Sequence, residues 1–321
     1  MCKAVMDVSI IIVNYNTKDL LKNCLESVFK QTDGIQFEVI VSDNGSQDGS
    51  VEMLKKDFPQ VILIENNANL GFGAANNRGL AVAKGKYIFY LNSDTVLLNN
   101  AVKIFFDYWE TAPDKETLGA LGANLLNEDM QVIHSYGEFA GYRISLKQLL
   151  TMGFTNMVMS FFYMIRLSPS FFARGIHHTD FFIGQVDYVT GADLFLLNDK
   201  HAAFDENFFL YFEEADLQKR LASLGKKRLI IADPQIQHFC GGSVDETISI
   251  KRKASFSRIQ FEISRIKFLK KIWKQSFVAW TSKISCNTLM AQSIFNKSYR
   301  KIYSSYLENL GGVDGIQQSC N

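Results

Sequence analysis

The sequence predicts an α/β fold, a mostly parallel sheet flanked by helices. Three observations carry that expectation. Short β-branched runs alternate with amphipathic segments of helical spacing. Several of the runs lack polar alternation, as strands covered on both faces do. Each stops in a cluster of Asn, Asp, Ser or Gly, the punctuation of a loop.

Val8 to Val13 reads as the first strand, closed by Asn14-Tyr15-Asn16-Thr17. Leu20, Leu21, Cys24, Leu25, Val28 and Phe29 then recur at helical spacing, with Asn16 or Thr17 in the N-cap position. Phe37 to Val41 is the second strand and runs into the polar loop 42–50. A helix through Met53 and Leu54 precedes a third strand, Val61 to Ile64. A helix of small residues over 71–83 leads to the strand Lys86 to Leu91, which closes in Asn92-Ser93-Asp94. Ligands of such sheets bind beyond the carboxyl ends of the strands, so Asn14, Asp43 and Asn92 should gather at one edge. Farther on, Leu118 to Leu126 and Met130 to Ser135 are predicted strands, and Asp187 to Leu197 is a strand broken at Gly191. Glu213 to Leu224 is a helix stopped by Gly225. Leu229 to Ala232 is a strand leading toward His238, and Lys251 to Trp273 a basic amphipathic helix with Phe256, Ile259, Ile263, Ile266 and Leu269 on one face.

The 34 Lys+Arg against 33 Asp+Glu leave no global field to attract nucleic acid. Five cysteines, Cys2, Cys24, Cys240, Cys286 and Cys320, show no paired spacing, which argues for reduced thiols and a cytoplasmic setting. No secretory signal is expected near the start. The longest apolar stretch, Met157 to Ile165, falls short of the roughly 20 residues a spanning helix needs.

Five motifs in a fixed order then carry a resemblance. They are Val8–Asn16 (VSIIIVNYN), Val41–Ser50 (VSDNGSQDGS), Asn69–Gly79 (NLGFGAANNRG), Leu91–Thr95 (LNSDT) and Phe204–Leu217 (FDENFFLYFEEADL). Together, over residues 8 to about 270, they resemble family-2 glycosyltransferases, in particular the rhamnosyltransferase-like branch. The resemblance implies a GT-A (Rossmann-like) domain over 1–245, with a donor half of about 1–98 and an acceptor half of about 99–245. An apolar and basic insertion at 140–180 and a helical C-terminal extension at 246–321 complete the expected organisation.

The resemblance also implies roles. Asp43 would read the nucleotide's base or ribose, with Tyr15 and Asn16 beside it and Asn69, Asn77 and Asn92 as further donor contacts. The alternative for Asp43 is an Asx-type turn, with nucleotide contact favoured in the context of the other motifs. Asn92-Ser93-Asp94 stands where the family has a metal-binding DxD, so Asp94 would hold Mg²⁺ or Mn²⁺ bridging the donor's phosphates. Asn92 replaces the first acid, and an amide neutralises no charge. His238 falls where relatives place a histidine ligand, although a lone histidine is more often structural. Glu214 takes the place of the general base, with Glu213 and Asp216 as alternatives; acids in a first helical turn also suit the helix dipole. Gly191 and Ala192 would border the acceptor, and Asp193 either orients an acceptor hydroxyl or is a loop charge.

The function expected from this is an inverting, metal-dependent transfer of a sugar from a nucleotide diphosphate to a cell-surface glycan or lipid-linked saccharide. L-Rhamnose from dTDP-rhamnose is the first expectation, and UDP-galactofuranose, UDP-galactose or UDP-glucose the alternatives. A non-catalytic scaffold subunit of a glycan-assembly complex is the rival of another class. The basic aromatic stretch 142–174 suits peripheral contact with the inner face of the cytoplasmic membrane. A packed subdomain or a homodimer contact is the other reading of that stretch.

Overall fold

The computed structural model describes residues 6–139 and 180–239, with helical residues 260, 261, 263–265, 267–269 and 271. The chain divides into two compact units, one of residues 1–139, 176–209 and 213–245, the other of residues 140–175, 210–212 and 246–321. The predicted stretch 142–174, four of the five cysteines, and Phe256, Ile259 and Ile266 lie outside the described residues. Among the described residues no helix is long and apolar enough to cross a membrane.

In the first unit, β1 (Val8–Asn14) is buried at every position except Val13. It runs parallel between β2 (Phe37–Asp43) and β4 (Tyr87–Asn92), with β3 (Ile62–Glu65) outside β2. The crossovers are α1 (Lys18–Gln31), α2 (Ser50–Asp57) and α3 (Phe72–Leu80). Helix α1 buries Leu21, Cys24, Leu25 and Val28, the face its spacing predicts. In register, Asn14 lies opposite Asp43 and Val13 opposite Asn92, so three polar strand ends meet at one edge.

The remaining elements are β5 (Thr95–Leu97), α4 (Ala101–Thr111), β6 (Leu118–Leu126), β7 (Tyr136–Gly137), β8 (Gly184–Gln185), β9 (Tyr188–Val189), β10 (Asp193–Leu197), α5 (Glu213–Ser223) and β11 (Lys227–His238). The large sheet has the order β3-β2-β1-β4-β10-β6-β11-β5, with β8 also on β11. Strand β10 is antiparallel to β4 and β6, whereas β6 and β11 are parallel. The reversal matters for the site: β10 starts where β4 ends, with Asp193 opposite Leu91. His238 closes β11 opposite Thr95, just past the end of β4.

Three of the 26 phenylalanines form one aromatic cluster. Phe89, Phe105 and Phe195 pack with Tyr87 and Trp109 between the sheet and α4, the Phe105 and Phe195 rings stacked 5.4 Å apart. Such aromatic packing is worth about 0.5–1.5 kcal/mol per pair beyond burial.

Two expectations change. Met130–Ser135 is no strand, because Asn127 folds the chain back on itself. Its backbone bonds to Gln131 and Met130, and its Oδ1 accepts the Gln131 N–H at 2.8 Å. Met130 takes a positive φ of 59° in that turn. The strand from Leu229 continues past Ala232 to His238, absorbing Pro234 in a register shift between Ile231 and Ile236. The helix stop at Gly225 is as predicted, with φ +75° and the Lys226 N–H on the Leu221 carbonyl.

Gly71, the N-cap of α3, has φ +86° and ψ 176°, a conformation nearly exclusive to glycine. A Cβ there would lie 2.2 Å from the Phe209 carbonyl oxygen. Gly71→Ala is expected to destabilise the fold by at least about 1–3 kcal/mol, read as a lower urea midpoint. An unchanged midpoint would show that the loop ending at Phe209 moves freely.

In the second unit, Phe261 packs on Tyr211 and Phe212 at 5.8 and 5.1 Å, and Phe268 on Phe212 at 5.5 Å. The Ser264 hydroxyl donates to the Leu210 carbonyl at 2.7 Å. Ile263 and Leu269, predicted on one apolar face, are buried.

Candidate active site

The polar strand ends are wired together. Asp43 Oδ1 accepts the N–H groups of Gly45 and Ser46 at 3.0 and 2.9 Å, and its Oδ2 accepts Asn14 Nδ2 at 2.7 Å. The Thr17 hydroxyl donates to Asn14 Oδ1 at 2.7 Å and meets the Ser93 hydroxyl at 2.9 Å. One relay therefore ties β2 to β1 and β1 to the turn after β4. Thr17 is the N-cap of α1, yet its hydroxyl does not cap the helix. Asp48 takes that part, accepting the Lys18 N–H at 2.8 Å. Asn16, at φ +54°, accepts the Gln47 N–H at 2.8 Å, leaving the Tyr15 ring exposed at the rim.

Beyond β4, Asp94 is buried and its Oδ1 lies 3.2 Å from His238 Nε2. Asn92 Nδ2 lies 3.4 Å from the same nitrogen. The Phe239 N–H donates to the Asp94 carbonyl at 2.9 Å, pinning β11 to the turn. Beneath it Cys24 Sγ faces the Asn92 carbonyl and Thr95 Oγ1, each at 3.6 Å. Burial pushes this thiol up to about 12, so it stays protonated and inert. One carboxylate and one imidazole suit a divalent cation that takes its other ligands from phosphate and water. Among the described residues no cluster of three His, Cys, Asp or Glu side chains forms a closed cage.

The third part of the site is the start of α5. Glu213 is buried, whereas Glu214 keeps a partly exposed edge. A Cβ built on Gly191 would lie 3.8 Å from Glu214 Cβ and 3.2 Å from the Phe72 ring. The Gly191 backbone thus passes beside both the Phe72 ring and the Glu214 side chain. Desolvation holds the Glu214 carboxyl above the usual carboxylate range, opposed by the N–H groups of Glu214 and Ala215. The Gln218 amide fixes this helix to β9, donating to the Val189 carbonyl at 2.7 Å and accepting its N–H at 2.8 Å. The Asn92 N–H donates to the Ala192 carbonyl at 3.0 Å. Gly191 lies beside Glu214 and Ala192 holds Asn92, so one short turn links the base candidate to the Asp94–His238 pair.

Comparison with known proteins bears on this arrangement. Residues 9–166 match the family model described as Glycosyl transferase family 2. The match covers just under half of the chain, and it is residues 9–166 that it marks as a family-2 glycosyltransferase domain. Over 121 residues it is 35% identical to a poly(ribitol-phosphate) beta-glucosyltransferase of Bacillus spizizenii, covering 36% of this chain and 19% of that protein. Over 112 residues it is 37% identical to an Escherichia coli UDP-Glc:alpha-D-GlcNAc-diphosphoundecaprenol beta-1,3-glucosyltransferase, covering 32% and 44%. The chain therefore spans less than half the length of either relative. A solved mannosyltransferase of Pyrobaculum calidifontis, in complex with GDP-Man and Mn2+, has a TM-score of 0.52 at 13% identity over 99% of this chain and 87% of that one. That likeness establishes the fold, which is GT-A.

Within the first unit the predicted residues divide into three groups. Asn92, Asp94 and His238 meet beyond β4, the Gly191–Ala192 turn lies beside Asn92 and Glu214, and Tyr15 is exposed after β1. Asp43 and Asn69 hold loops. Asp43 forms the Asx turn, and Asn69 Oδ1 accepts the Gly71 N–H at 3.0 Å. Asn77 needs correcting as a donor contact, because its amide is committed to the loop after β10. It exchanges bonds with the Phe204 backbone at 2.9 Å each way and donates to Glu206 at 3.0 Å. Asp193 is no loop charge and no hydroxyl-orienting side chain. It is wholly buried, with Oδ2 accepting the Ala123 N–H at 2.6 Å. Asp216 is taken up by Arg220 at 3.3 Å, which itself bonds the Ala203 carbonyl.

Sequence reasoning missed Gln218 and the Thr17–Ser93 bond. Gln218 lies one turn after Glu214 on the same helix face, a spacing that marks a neighbour of the site. The hydroxyl pair joins residues 76 positions apart and left no signal.

Proposed function

We propose that the chain is an inverting glycosyltransferase moving a hexose from a nucleoside diphosphate to a saccharide or lipid-linked saccharide hydroxyl. The observation that carries this reading is the placement of Glu214 against Gly191, one residue from the Ala192 carbonyl that holds Asn92. In this reading a base and a phosphate-binding corner serve one reaction centre.

In the proposed reaction the acceptor oxygen attacks the anomeric carbon from the face opposite the diphosphate. The bond from that carbon to the phosphate oxygen breaks, the diphosphate leaves with the electron pair, and Glu214 takes the acceptor's proton. Asp94 and His238 would hold Mg²⁺ or Mn²⁺, which supplies charge neutralisation at the leaving diphosphate. Asn92 and the turn after β4 place the phosphates, and the Gly191–Ala192 turn admits the acceptor. The nucleoside would lie over the Asp43 loop with Tyr15 at its rim.

A UDP-linked hexose is the donor favoured over dTDP-rhamnose, since the two relatives above are glucosyltransferases by name. A lipid-linked acceptor would place the chain at a membrane surface, and that contact is proposed for 142–174.

Thermal-shift titration with UDP, dTDP and GDP, each with and without Mn²⁺, tests the reading. UDP with Mn²⁺ should raise the melting temperature most. In Asp94→Ala the Mn²⁺-dependent part of the UDP affinity should fall at least by the roughly 10–100-fold that loss of an outer-shell partner costs. A metal-dependent shift that survives the substitution would remove Asp94 from the site.

A further inference from the structure

Tyr188 stands on the short ribbon of β7 and β9, directly opposite Gly137. Its ring lies across that glycine. A Cβ on Gly137 would come within 2.3 Å of the phenol oxygen and 2.4 Å of the ring carbon bearing it. Covering a glycine accounts for where an aromatic ring lies in a strand pair. It does not account for the hydroxyl. A phenylalanine would cover the glycine equally well, and Phe is the commoner aromatic in this chain, 26 against 12 Tyr.

The phenol is also held firmly. The next residue, Val189, is clamped by both ends of the Gln218 amide, one helical turn below Glu214. Phe139 stacks on the ring at 6.1 Å and 29°, and the Lys219 ammonium lies 4.5 Å from the centre of the Phe139 ring. Tyr188 lies close enough to Glu214 and Asp187 for their charges to act on it. Together with burial they hold the phenol above its ordinary range, so it stays a proton donor throughout the working pH. Among the described residues its hydroxyl has no hydrogen-bond partner. A rigid, half-buried phenol beside a carboxylate, with its donor unspent, is suited to a ligand oxygen.

We propose that Tyr188 is an acceptor-recognition residue: its hydroxyl, held over Gly137, binds a hydroxyl of the acceptor sugar next to the one that Glu214 deprotonates. This rests on the reading of Glu214 as the base. In chemical class the ligand is a hexopyranoside with free neighbouring hydroxyls, one for each group.

Saturation-transfer NMR on the full chain, with UDP and Mn²⁺ present, tests it with the methyl pyranosides of glucose, galactose and N-acetylglucosamine. At least one should receive saturation from the wild type. Tyr188→Phe should bind that sugar about tenfold more weakly, the usual cost of one neutral hydrogen bond. Gly137→Ala, which displaces the phenol, should do the same, and the double variant should be no weaker than either single one. Saturation of UDP should persist in all three. No bound sugar in the wild type, unchanged binding in Tyr188→Phe, or joint loss of UDP would each overturn the proposal. Glu214→Gln separates the two readings, because the sugar signal reports Tyr188 whereas transfer reports the base. A Glu214→Gln protein that still transfers sugar sinks the base assignment and leaves the Tyr188 result standing.

Discussion

Glu214→Gln is expected to lower sugar transfer by about 10²–10⁴-fold while leaving nucleotide binding intact. The substitution keeps the shape at the start of α5 and removes only the basic oxygen. A base must be ionised to work, and desolvation raises this one. Activity should therefore climb with pH through an acid limb lying above the roughly 4.3 of an ordinary glutamate. Transfer from a labelled UDP-hexose, measured across pH beside calorimetric UDP binding, separates the two effects. Asp216→Asn is the comparison: it breaks an ion pair to Arg220 and so should act on stability. If Asp216→Asn abolished transfer and Glu214→Gln did not, the assignment would pass to Asp216.

The second large effect belongs to Asp193. Burial pushes its carboxyl up to about 7, opposed by the Ala123 N–H and the charge of His238. Its Oδ1 has no hydrogen-bond partner among the described residues. The folded state therefore holds a proton that the unfolded chain releases near pH 4. Stability from this group is full below that point, declines between about pH 4 and 7, and is lost above. Between pH 5 and 8 the decline amounts to about 2–3 kcal/mol, from about 1.4 kcal/mol per pH unit. Asp193→Asn keeps an acceptor for Ala123 and cannot titrate, so it should remove that part of the slope and be the more stable protein at pH 8. Urea unfolding at the two pH values gives the comparison, and parallel slopes in both proteins would mean that Asp193 is ionised in the fold.

The strands β1 to β4 were legible because buried parallel strands show as unbroken apolar runs, and their ends as polar clusters. Val8–Asn14 and Tyr87–Asn92 are such runs. Partner choice leaves no such trace. Nothing in Asp193–Leu197 announces that it inserts between β4 and β6 in the opposite direction, yet that insertion buries Asp193 and turns Gly191 toward Glu214. The same blindness explains Asn77. An asparagine in a motif looks available for a ligand until its partner, here Phe204, is known from the fold. Glu214 was set ahead of Glu213 by its place in the motif, and the fold adds that Glu213 is enclosed whereas Glu214 is partly exposed. Residues 211 and 212, both at positive φ immediately before α5, were equally invisible, and the left-handed backbone costs about 1–2 kcal/mol at each.

The hydroxyl-and-amide relay from Asp43 to Ser93 has an implication for engineering. Each member already satisfies its neighbour, so altering one to suit a different nucleotide orphans the next and loosens three strands at once. Retuning which donor is accepted should therefore succeed from the periphery, at solvent-facing Tyr15, and fail from the floor.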